Sequence, residues 1–443
     1  MTGAASGRGT FKRTIDDVAM TPYLGKVTFF SSGGSFLDGY VISLVGVALT
    51  QLTPQLDLVA SETAAIGAAS LVGILFGSFL GGALTDRLGR RKMFIVDVVA
   101  IAAFSLLGMF AVEPFQLVAS RFFIGLFIGA DYPIATSLIA EFTPQRYRAI
   151  SMGIVSASWY LGATAAAFVG YGLYGFDDGW KWMLGSAVIP CVILLVGRHD
   201  IPESPRWLLQ KGRVEEARAV VLKVFGPGVE LEPESESRSS VRKVFERGYC
   251  ARTAFLGIMI LCQVVPMYAV YTFGPDIMVA FGLGAGREAI LGESVVSLFF
   301  LAGGIPAMFW LNSLGRRTLL IRGMAFMVAG LLVLGIWPDA PIWVVILGFG
   351  VYAFSSGGPG ILQWLYPNEL FPTEVRATAV GVAIAFSRVG VIVSTYGLPL
   401  FMNAYGIGAT MLAAAGLVVV GLAWSIAVAP ETKGMPLSES SSL

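Results

Sequence analysis

The chain has 443 residues, of which 56% are hydrophobic and only 13% are charged. Because soluble domains carry about 25% charged residues, this composition excludes an ordinary soluble globular protein. The formal net charge of +1 gives no reason to expect a nucleic acid as a partner. The cysteines lack metal-ligand spacing and His199 is the only histidine, so we expect neither a metal site nor a cofactor.

Residues 1–24 are mostly polar and lack the pattern of a cleavable signal, so we expect them to form a cytoplasmic segment. After them, apolar windows of about 18 or more residues, the length needed to cross a bilayer, recur along the chain. They predict twelve transmembrane helices near residues 25–50, 62–84, 93–112, 115–140, 148–174, 180–198, 253–279, 289–311, 318–337, 341–366, 376–400 and 405–428.

Basic residues divide the predicted loops into two groups. On one side the loops contain only Lys181 and Arg287 as basic residues. The other side carries basic stretches such as DRLGRRK at 86–92 and PQRYR at 144–148. Because cytoplasmic loops have the excess of Lys and Arg, we expect both termini in the cytoplasm.

An internal repeat divides the chain into two halves. The segment EFTPQRYRA at 141–149 recurs as ELFPTEVRA at 369–377, 228 residues later, and a Pro-Glu pair recurs at the same offset. Each repeat contains six spans, so both halves enter the membrane in the same direction. The expected fold is an all-α membrane protein of two parallel six-helix bundles, at residues 25–198 and 253–428.

A polar linker at 199–252 joins the halves, and its sequence EPESESRSS is not expected to fold by itself. Within the linker, residues 214–225 (VEEARAVVLKVF) have the apolar spacing of an amphipathic helix. We expect this helix to lie on the cytoplasmic surface. Residues 429–443 are expected to form a cytoplasmic tail.

The fourth span carries two charges inside an apolar helix. Arg121 and Asp131 lie ten residues apart, which is about 15 Å along a helix axis. A charged side chain at such depth costs at least about 2.5–3.5 kcal/mol, so it usually faces a cavity and has a function. A helix of this kind is typical of a transporter.

Sequence motifs carry a resemblance to a known family. GALTDRLGRR at 82–91 resembles the loop signature between helices two and three of the major facilitator superfamily. PESPRW at 202–207 and PETKG at 430–434 resemble the signatures after helices six and twelve of its sugar-porter branch. Segments 129–142 and 262–275 are especially similar to bacterial inner-membrane metabolite transporters. The resemblance covers nearly the whole chain and implies a transporter of the cell membrane, not an enzyme.

The charges at the helix ends are interpreted as a conformational latch. Arginine–carboxylate pairs there would hold the two halves in one state and would break before the cavity opens inward. The alternative is that the basic loops only set the topology, which leaves the repeated acids unexplained. Asn312 stands where the second half would carry an acid, so its latch is expected to be weaker. The expected members are Asp86, Arg87, Arg90, Glu141, Arg148, Glu203, Arg206, Arg316, Glu369, Arg376 and Glu431.

Asp38, in the middle of the first span, is the first candidate for the proton carrier. Sugar porters that are proton symporters carry an aspartate at the matching position. They pair it with the arginine that opens their fourth helix, which is Arg121 here. Ionised Asp38 would attract Arg121, and protonation would release the arginine and let the helices shift. The alternative is a permanent ion pair that only holds the two helices together.

Asp131 is the second candidate for proton coupling. GADYP at 129–133 resembles a segment of phosphate:proton symporters in the same superfamily, where the aspartate works in coupling or binding. The alternative is a structural acid that a neighbouring hydroxyl or Arg388 satisfies. Arg388 would in turn either bind an anionic substrate or form a salt bridge with Asp131. The charges in the middle of the spans are then balanced, with two acids and two arginines.

The predicted substrate site combines retained and altered sugar-porter positions. Gln263 matches one of the paired glutamines with which sugar porters bind hydroxyls, and Trp364 matches the tryptophan that packs on the sugar ring. Cys262 replaces the neighbouring glutamine and Tyr268 replaces the family's asparagine, which argues against an ordinary hexose. The expected substrate-binding residues are Tyr132, Trp159, Tyr160, Gln263, Tyr268, Tyr271, Gln363, Trp364 and Arg388.

These features favour proton-coupled symport of a small polar or anionic organic metabolite, such as a sugar acid, an organic acid or a sugar-like compound. The expected partners are this substrate, protons and the lipid bilayer. One chain contains both halves, so we expect a functional monomer. The alternative is a proton-coupled efflux antiporter for a metabolite or drug, although the fifth span lacks the glycine-proline signature of drug exporters. A non-transporting sensor would usually add long cytoplasmic extensions.

Overall fold

A computed structural model describes residues 18–229, 249–371 and 373–433 of the chain. These residues form α-helices that are joined by short loops. In chain order they are α1 (Pro22–Ser31), α2 (Gly33–Gln55), α3 (Ala60–Leu88), α4 (Arg90–Met109), α5 (Pro114–Phe142), α6 (Gln145–Leu173), α7 (Gly179–Ser186), α8 (Val188–Arg198), α9 (Pro205–Gln210), α10 (Val214–Phe225), α11 (Tyr249–Ala280), α12 (Arg287–Leu314), α13 (Arg316–Ile336), α14 (Ile342–Leu370) and α15 (Thr373–Val428).

Some expected features lie outside the described residues. They include most of the N-terminal segment, the sequence EPESESRSS of the linker and most of the tail after Lys433. The backbone at Asp86, Arg148 and Arg376 is helical, but the side chains of these latch candidates lie outside the described part as well. Their roles, and the boundaries assigned to the two halves, stay predictions.

The described helices account for the twelve predicted spans in order. Ten segments of the described chain are long and apolar enough to cross a bilayer. One of them, Gly381–Val428, covers two crossings, because the backbone leaves the helical conformation at Gly406 with φ 80° and ψ 173°. Helix α5 also has the length of a span, with 29 residues, although it contains buried charges. Helices α1 and α2 form one span together, as do α7 and α8, and the predicted all-α membrane fold is confirmed.

The amphipathic helix predicted at 214–225 is α10, with the same bounds. Its residues Val221, Val224 and Phe225 belong to an apolar cluster with residues of α1, α4 and α5. The ring of Phe225 stacks on that of Phe142, with centroids 6.1 Å apart. The described members of this cluster come from the part of the chain before residue 230, so α10 is attached to the N-terminal half.

Glycines bring neighbouring helices of each half into close contact. A Cβ on Gly125 of α5 would lie 2.0 Å from the carbonyl oxygen of Ser70 on α3. In the second half, a Cβ on Gly303 of α12 would lie 2.0 Å from the carbonyl oxygen of Phe354 on α14. Such backbone approaches require small residues, as is common between membrane helices. They fix α5 and α14, which carry site residues, against their neighbours.

The two halves meet along α2 and α11, along α3 and α15, and along α6 and α12. We call the end of the bundle whose loops contain few basic residues the outer end. Towards this end a Cβ on Gly46 of α2 would lie 2.6 Å from the carbonyl oxygen of Thr272 on α11. Helix α11 is irregular there, with a non-helical φ of −127° at Phe273 just before Pro275. The halves are therefore closely packed towards the outer end.

Candidate functional site

Asp38 lies on α2, in the middle of the span that α1 and α2 form together, and is fully buried. Its Oδ2 atom accepts a hydrogen bond from the hydroxyl of Tyr132 on α5 and one from Nε1 of Trp159 on α6, the latter at 2.7 Å. Its Oδ1 atom is buried and has no hydrogen-bond partner among the described residues. One carboxylate oxygen is thus held by the N-terminal half, and the other remains available to a ligand.

Arg388 on α15 brings a positive charge from the C-terminal half to the same place. Its guanidinium carbon lies 4.9 Å from the ring centroid of Tyr268 and 5.9 Å from that of Tyr132, within the range of cation–π attraction. Its charge also interacts with the carboxylate of Asp38. Its NH1 atom is buried without a hydrogen-bond partner in the described part of the chain. An acid of one half therefore faces an arginine of the other.

Aromatic rings from both halves surround these two charges. Tyr132 of α5 and Trp364 of α14 stack with their ring centroids 6.1 Å apart. Trp159 packs against three tyrosine rings at centroid distances between 5.0 and 5.6 Å. These tyrosines are Tyr160, Tyr268 and Tyr271.

Gln263 of α11 adds an amide to this surface. Its Nε2 atom donates to the hydroxyl of Ser356 at 3.1 Å, and its buried Oε1 has no partner among the described residues. A Cβ on Gly360 would lie 2.6 Å from the hydroxyl of Tyr160, so α14 has a glycine where it approaches this group. Gln363 lies half-buried farther along α14. We call the connected cluster the central site, with members Asp38, Tyr132, Trp159, Tyr160, Gln263, Tyr268, Tyr271, Trp364 and Arg388.

Arg121 reaches the helix that carries Asp38 without pairing with its carboxylate. The guanidinium donates to the backbone oxygen of Val41 at 3.0 Å and to the hydroxyl of Ser70 at 3.1 Å. Val41 lies about one helical turn after Asp38, and the hydrogen bonds to Asp38 come from aromatic side chains instead. The expected direct ion pair is therefore absent from the described contacts, and a role of Arg121 in coupling stays a prediction.

Asp131 pairs with Arg198 at the end of α8. Arg198 NH1 lies 2.9 Å from Asp131 Oδ1, and its NH2 lies 3.3 Å from Oδ2. Arg198 also donates to the carbonyl oxygen of Phe94, and its guanidinium carbon lies 3.3 Å from the ring centroid of that residue. The hypothesis of a salt bridge between Asp131 and Arg388 is therefore wrong, because Arg198 engages both carboxylate oxygens. Asp131 accordingly lies outside the central site as we define it.

Sequence reasoning missed three buried charges: Asp97, Arg198 and Glu293, which are 0%, 1% and 1% exposed. These charges add to the two acids and two arginines counted in the middle of the spans. Each of the three lies near an end of its predicted span, where long charged side chains ordinarily reach water. Helices α4 and α12 begin at Arg90 and Arg287, before the predicted bounds, so Asp97 and Glu293 lie farther inside their helices than expected. Arg198 lies at the end of α8, as predicted, and is buried by its contact with Asp131.

The described charge pairs at the end of the bundle with basic loops join helices of one half. Arg90 forms an ion pair with Glu141, which connects α4 to α5. At the repeated positions, Arg316 NH2 lies 2.9 Å from Glu369 Oε1, which connects α13 to α14. The latch hypothesis placed such pairs between the halves. These two pairs instead brace each half internally.

Glu203 and Glu431 cap helix N-termini at repeated positions. Oε1 of Glu203 accepts from the backbone N–H of Arg90 at 2.9 Å, and Oε1 of Glu431 accepts from that of Arg316 at 2.9 Å. The first N–H groups of a helix lack intrahelical acceptors, and the helix dipole favours a negative charge there. The other latch candidates with described side chains are the exposed Arg87 and the half-buried Arg206.

Comparison with known proteins gives matches along almost the whole chain. A sequence profile of the family described as "Sugar (and other) transporter" matches residues 27–443. The chain is 51% identical to the putative metabolite transport protein YaaU of Escherichia coli strain K12, over 97% of each chain. It is 32% identical to the inner membrane metabolite transport protein YgcS of the same organism, over 96% of this chain and 95% of that protein.

Among solved structures, the fold is similar to that of the proton:xylose symporter XylE of the major facilitator superfamily. One structure gives a TM-score of 0.77 at 21% identity and covers 94% of this chain and 98% of that chain. A partially occluded inward-open structure of the xylose transporter from Escherichia coli gives a TM-score of 0.80, also at 21% identity, and covers 94% and 100%. At this identity the likeness concerns the fold alone.

Proposed function

Because the chain belongs to the sugar transporter family of the major facilitator superfamily, we propose that it imports a small, hydroxylated organic anion together with a proton. The chain is a multi-pass transport protein of the cell membrane, not an enzyme, as its relatives are transport proteins. One polypeptide supplies both halves of the central site, so the proposed working unit is a monomer.

The proposal rests on polar atoms of the central site that lack a hydrogen-bond partner. Oδ1 of Asp38, Oε1 of Gln263 and NH1 of Arg388 are buried, and none has a partner among the described residues. Leaving such a group unsatisfied costs about 1–3 kcal/mol, so native structures rarely retain one without a reason. A substrate carboxylate would accept from Arg388, and substrate hydroxyls would donate to Gln263 and Asp38.

The charges favour an anion over a neutral sugar. The buried guanidinium of Arg388 is a planar fork of donors that matches a carboxylate better than a hydroxyl. The rings of Tyr132 and Trp364 offer apolar faces for the carbon skeleton of the substrate. A sugar acid or another small hydroxy acid combines these features.

Charge balance would couple the anion to the proton. In the empty site, an ionised Asp38 would balance the charge of Arg388. When the substrate carboxylate takes Arg388 and a proton neutralises Asp38, the charges cancel again. Anion alone or proton alone would leave an uncompensated buried charge, which costs several kcal/mol. Only the empty and doubly loaded sites would therefore favour the rocking of the halves that exposes the site alternately.

A thermal-shift screen of the purified protein tests the substrate class. The panel contains sugars, polyols, sugar acids, aromatic acids and amines, and each compound is measured on the unchanged protein and on Arg388→Ala. We expect a hydroxylated carboxylate to stabilise the unchanged protein, since ligand binding to the folded state raises its stability. This stabilisation should be lost in Arg388→Ala.

Lys433→Ala is the matched control, because Lys433 is an exposed cation far from the central site in the fold. The carboxylate should stabilise this variant as it stabilises the unchanged protein. A neutral polyol or an amine that stabilises both the unchanged protein and Arg388→Ala would contradict the anion proposal.

A further inference from the structure

Glu293 is a buried acid at the junction of the two halves, outside the central site. It lies on α12 towards the outer end and is 1% exposed. Its Oε1 atom accepts from the hydroxyl of Ser297 on the same helix at 2.9 Å. The same oxygen lies 3.5 Å from the hydroxyl of Ser43 on α2, which belongs to the other half. The acid therefore takes part in the contact that closes the outer end.

The second carboxylate oxygen of Glu293, Oε2, is buried and has no hydrogen-bond partner among the described residues. The hydroxyls of Tyr271 and Thr272 on α11 are also buried, and they too have no hydrogen-bond partner among the described residues. A Cβ on Gly274 would lie 2.3 Å from Cγ of Glu293, so the acid lies directly against the irregular part of α11.

Among the described residues, no Lys or Arg forms an ion pair with Glu293. Its described contacts are to serines, and the groups acting on it include neither Lys nor Arg. Arg287, at the start of the same helix, lies 6.0 Å from the ring of Tyr171, and Glu288 accepts from a backbone N–H. Of the titratable groups on the neighbouring helices, Tyr271 of α11 interacts with it. The described chain near the outer ends of these helices also carries Tyr171, Tyr174, Asp276, Glu288 and Tyr352.

An ionised carboxylate with no cation beside it is costly in such surroundings. Burying an unpaired charge costs several kcal/mol after relaxation, whereas a neutral carboxyl costs no more than other polar groups. A neutral carboxyl also carries an O–H donor. Pro275 has no N–H, so the carbonyl of Tyr271 four residues earlier lacks its helical donor, and an acceptor is available on this stretch of α11.

We propose that Glu293 is a second proton-binding site, which holds a proton while the outer ends of the two halves are closed. When the outer ends separate, Ser43 moves away with α2 and water reaches the carboxyl. Glutamate in water is ionised at neutral pH, so the proton leaves to the outside. The outer end closes again only after Glu293 takes up a proton, and an acidic exterior therefore favours closure.

This inference goes beyond the proposed function and does not depend on it. It concerns a different carboxyl from Asp38, and its readout is the distance between the outer ends, for which no substrate is needed.

Distance measurement between spin labels tests the proposal. Asp177 and Asp339 are exposed in outer loops of the N-terminal and C-terminal halves, and Cys250 is the exposed native cysteine. The labels are attached to Asp177→Cys and Asp339→Cys in a Cys250→Ser background, in liposomes without substrate. We expect short distances at acidic pH and an added population of longer distances at alkaline pH.

Glu293→Gln keeps the shape of the side chain and imitates its protonated form. It should give short distances at both pH values, whereas Glu215→Gln, a control at an exposed glutamate of α10, should keep the response of the unchanged protein. A full pH response in Glu293→Gln would overturn the proposal. So would an equal loss of the response in Glu215→Gln.

Ser43→Ala keeps the proposal testable if Glu293→Gln does not fold. Without the hydroxyl of Ser43 the closed outer end loses a contact, so the longer distances should appear at a lower pH than in the unchanged protein. An unchanged transition in Ser43→Ala would contradict the proposal. Replacing potassium by sodium at constant pH should leave the distances unchanged, and a shift would mean a metal-cation site instead.

Discussion

The helix ends near the basic loops and the central site use charged side chains in opposite ways. At these helix ends, the cap formed by Glu203 in the first half is repeated by Glu431 in the second, with the same 2.9 Å distance to a backbone nitrogen. At the central site, Asp38 comes from the first half and Arg388 from the second, and each keeps a buried atom without a described partner. The two halves therefore repeat the same contacts at these helix ends, but they contribute opposite charges to the central site.

The Asp131–Arg198 pair shows what a structural charge looks like deep in one half. Both carboxylate oxygens of Asp131 are engaged by the guanidinium, at 2.9 and 3.3 Å. At the central site, by contrast, one oxygen of Asp38 is unpaired. We therefore expect changes at the paired charges to lower the stability of the fold and changes at the unpaired ones to lower transport.

Asp38→Asn should have the largest effect. The variant keeps the shape of the side chain but cannot bind and release a proton, so accumulation driven by an imposed pH gradient should be lost. Exchange of substrate across the membrane without a gradient should continue. Uptake and counterflow in proteoliposomes, with a ligand found in the thermal-shift screen, measure the two activities. Accumulation that persists in the variant would remove Asp38 from the proton pathway.

Asp131→Asn should instead destabilise the protein. Removing one partner of a buried ion pair costs about 3–5 kcal/mol, because Arg198 is left without its carboxylate. Chemical unfolding in detergent would show this loss in the free energy of unfolding, and Asp38→Asn, measured in parallel, should lose less. A stable Asp131→Asn variant that no longer couples transport to protons would assign the proton to Asp131.

Trp159→Phe should reduce transport by about tenfold, with little change in stability. The substitution keeps an aromatic ring but removes the N–H that donates to Asp38 at 2.7 Å. A hydrogen bond to a charged group contributes about 1.5–3 kcal/mol, and each 1.4 kcal/mol corresponds to about tenfold. Initial uptake rates at constant protein amount measure the effect. An equal loss in Trp180→Phe, whose indole donates to Gln55 instead, would mean that the effect is not specific to Asp38.

Glu203→Gln and Glu431→Gln should give the smallest effects, and equal ones. Loss of a helix cap costs about 0.5–2 kcal/mol, and the two glutamates occupy repeated positions. Thermal unfolding of each variant measures the loss. Glu215→Gln is the control, because its side chain is 85% exposed on α10 and should not change stability. Clearly unequal losses for the two caps would show that the two ends are not equivalent.

The sequence predicted the helices well because their signals are local. The bounds of α10 follow from the apolar spacing of residues 214–225, and the spans follow from the length of apolar runs. The repeat at 141–149 and 369–377 gave the two-half architecture. None of these inferences needs to know which way a side chain faces.

The partners of the charges were harder to predict because they depend on the rotation of each helix about its axis. Sequence position gives the depth of Asp131 along α5, but not the direction in which its carboxylate faces. It faces Arg198, while Tyr132, the next residue, faces Asp38. Trp159, Tyr268 and Arg388 were expected together as substrate-binding residues, whereas Asp38 was expected to pair with Arg121 and instead accepts from Tyr132 and Trp159. The role proposed for Glu293 could not be predicted from the sequence, because it depends on the contact with Ser43 of the other half.

Because α10 is attached to the N-terminal half, a label on α10 reports the movement of that half. Val221 and Phe225 are packed into the N-terminal half, so α10 would turn with that half in the proposed rocking of the halves. The displacement caused by a rotation grows with distance from the rotation axis. A small rotation of the half would therefore move α10 farther than it moves the residues of the central site. A donor dye on the exposed Arg218 and an acceptor on the exposed Lys433 would therefore read each transport cycle optically without altering any residue that meets the substrate.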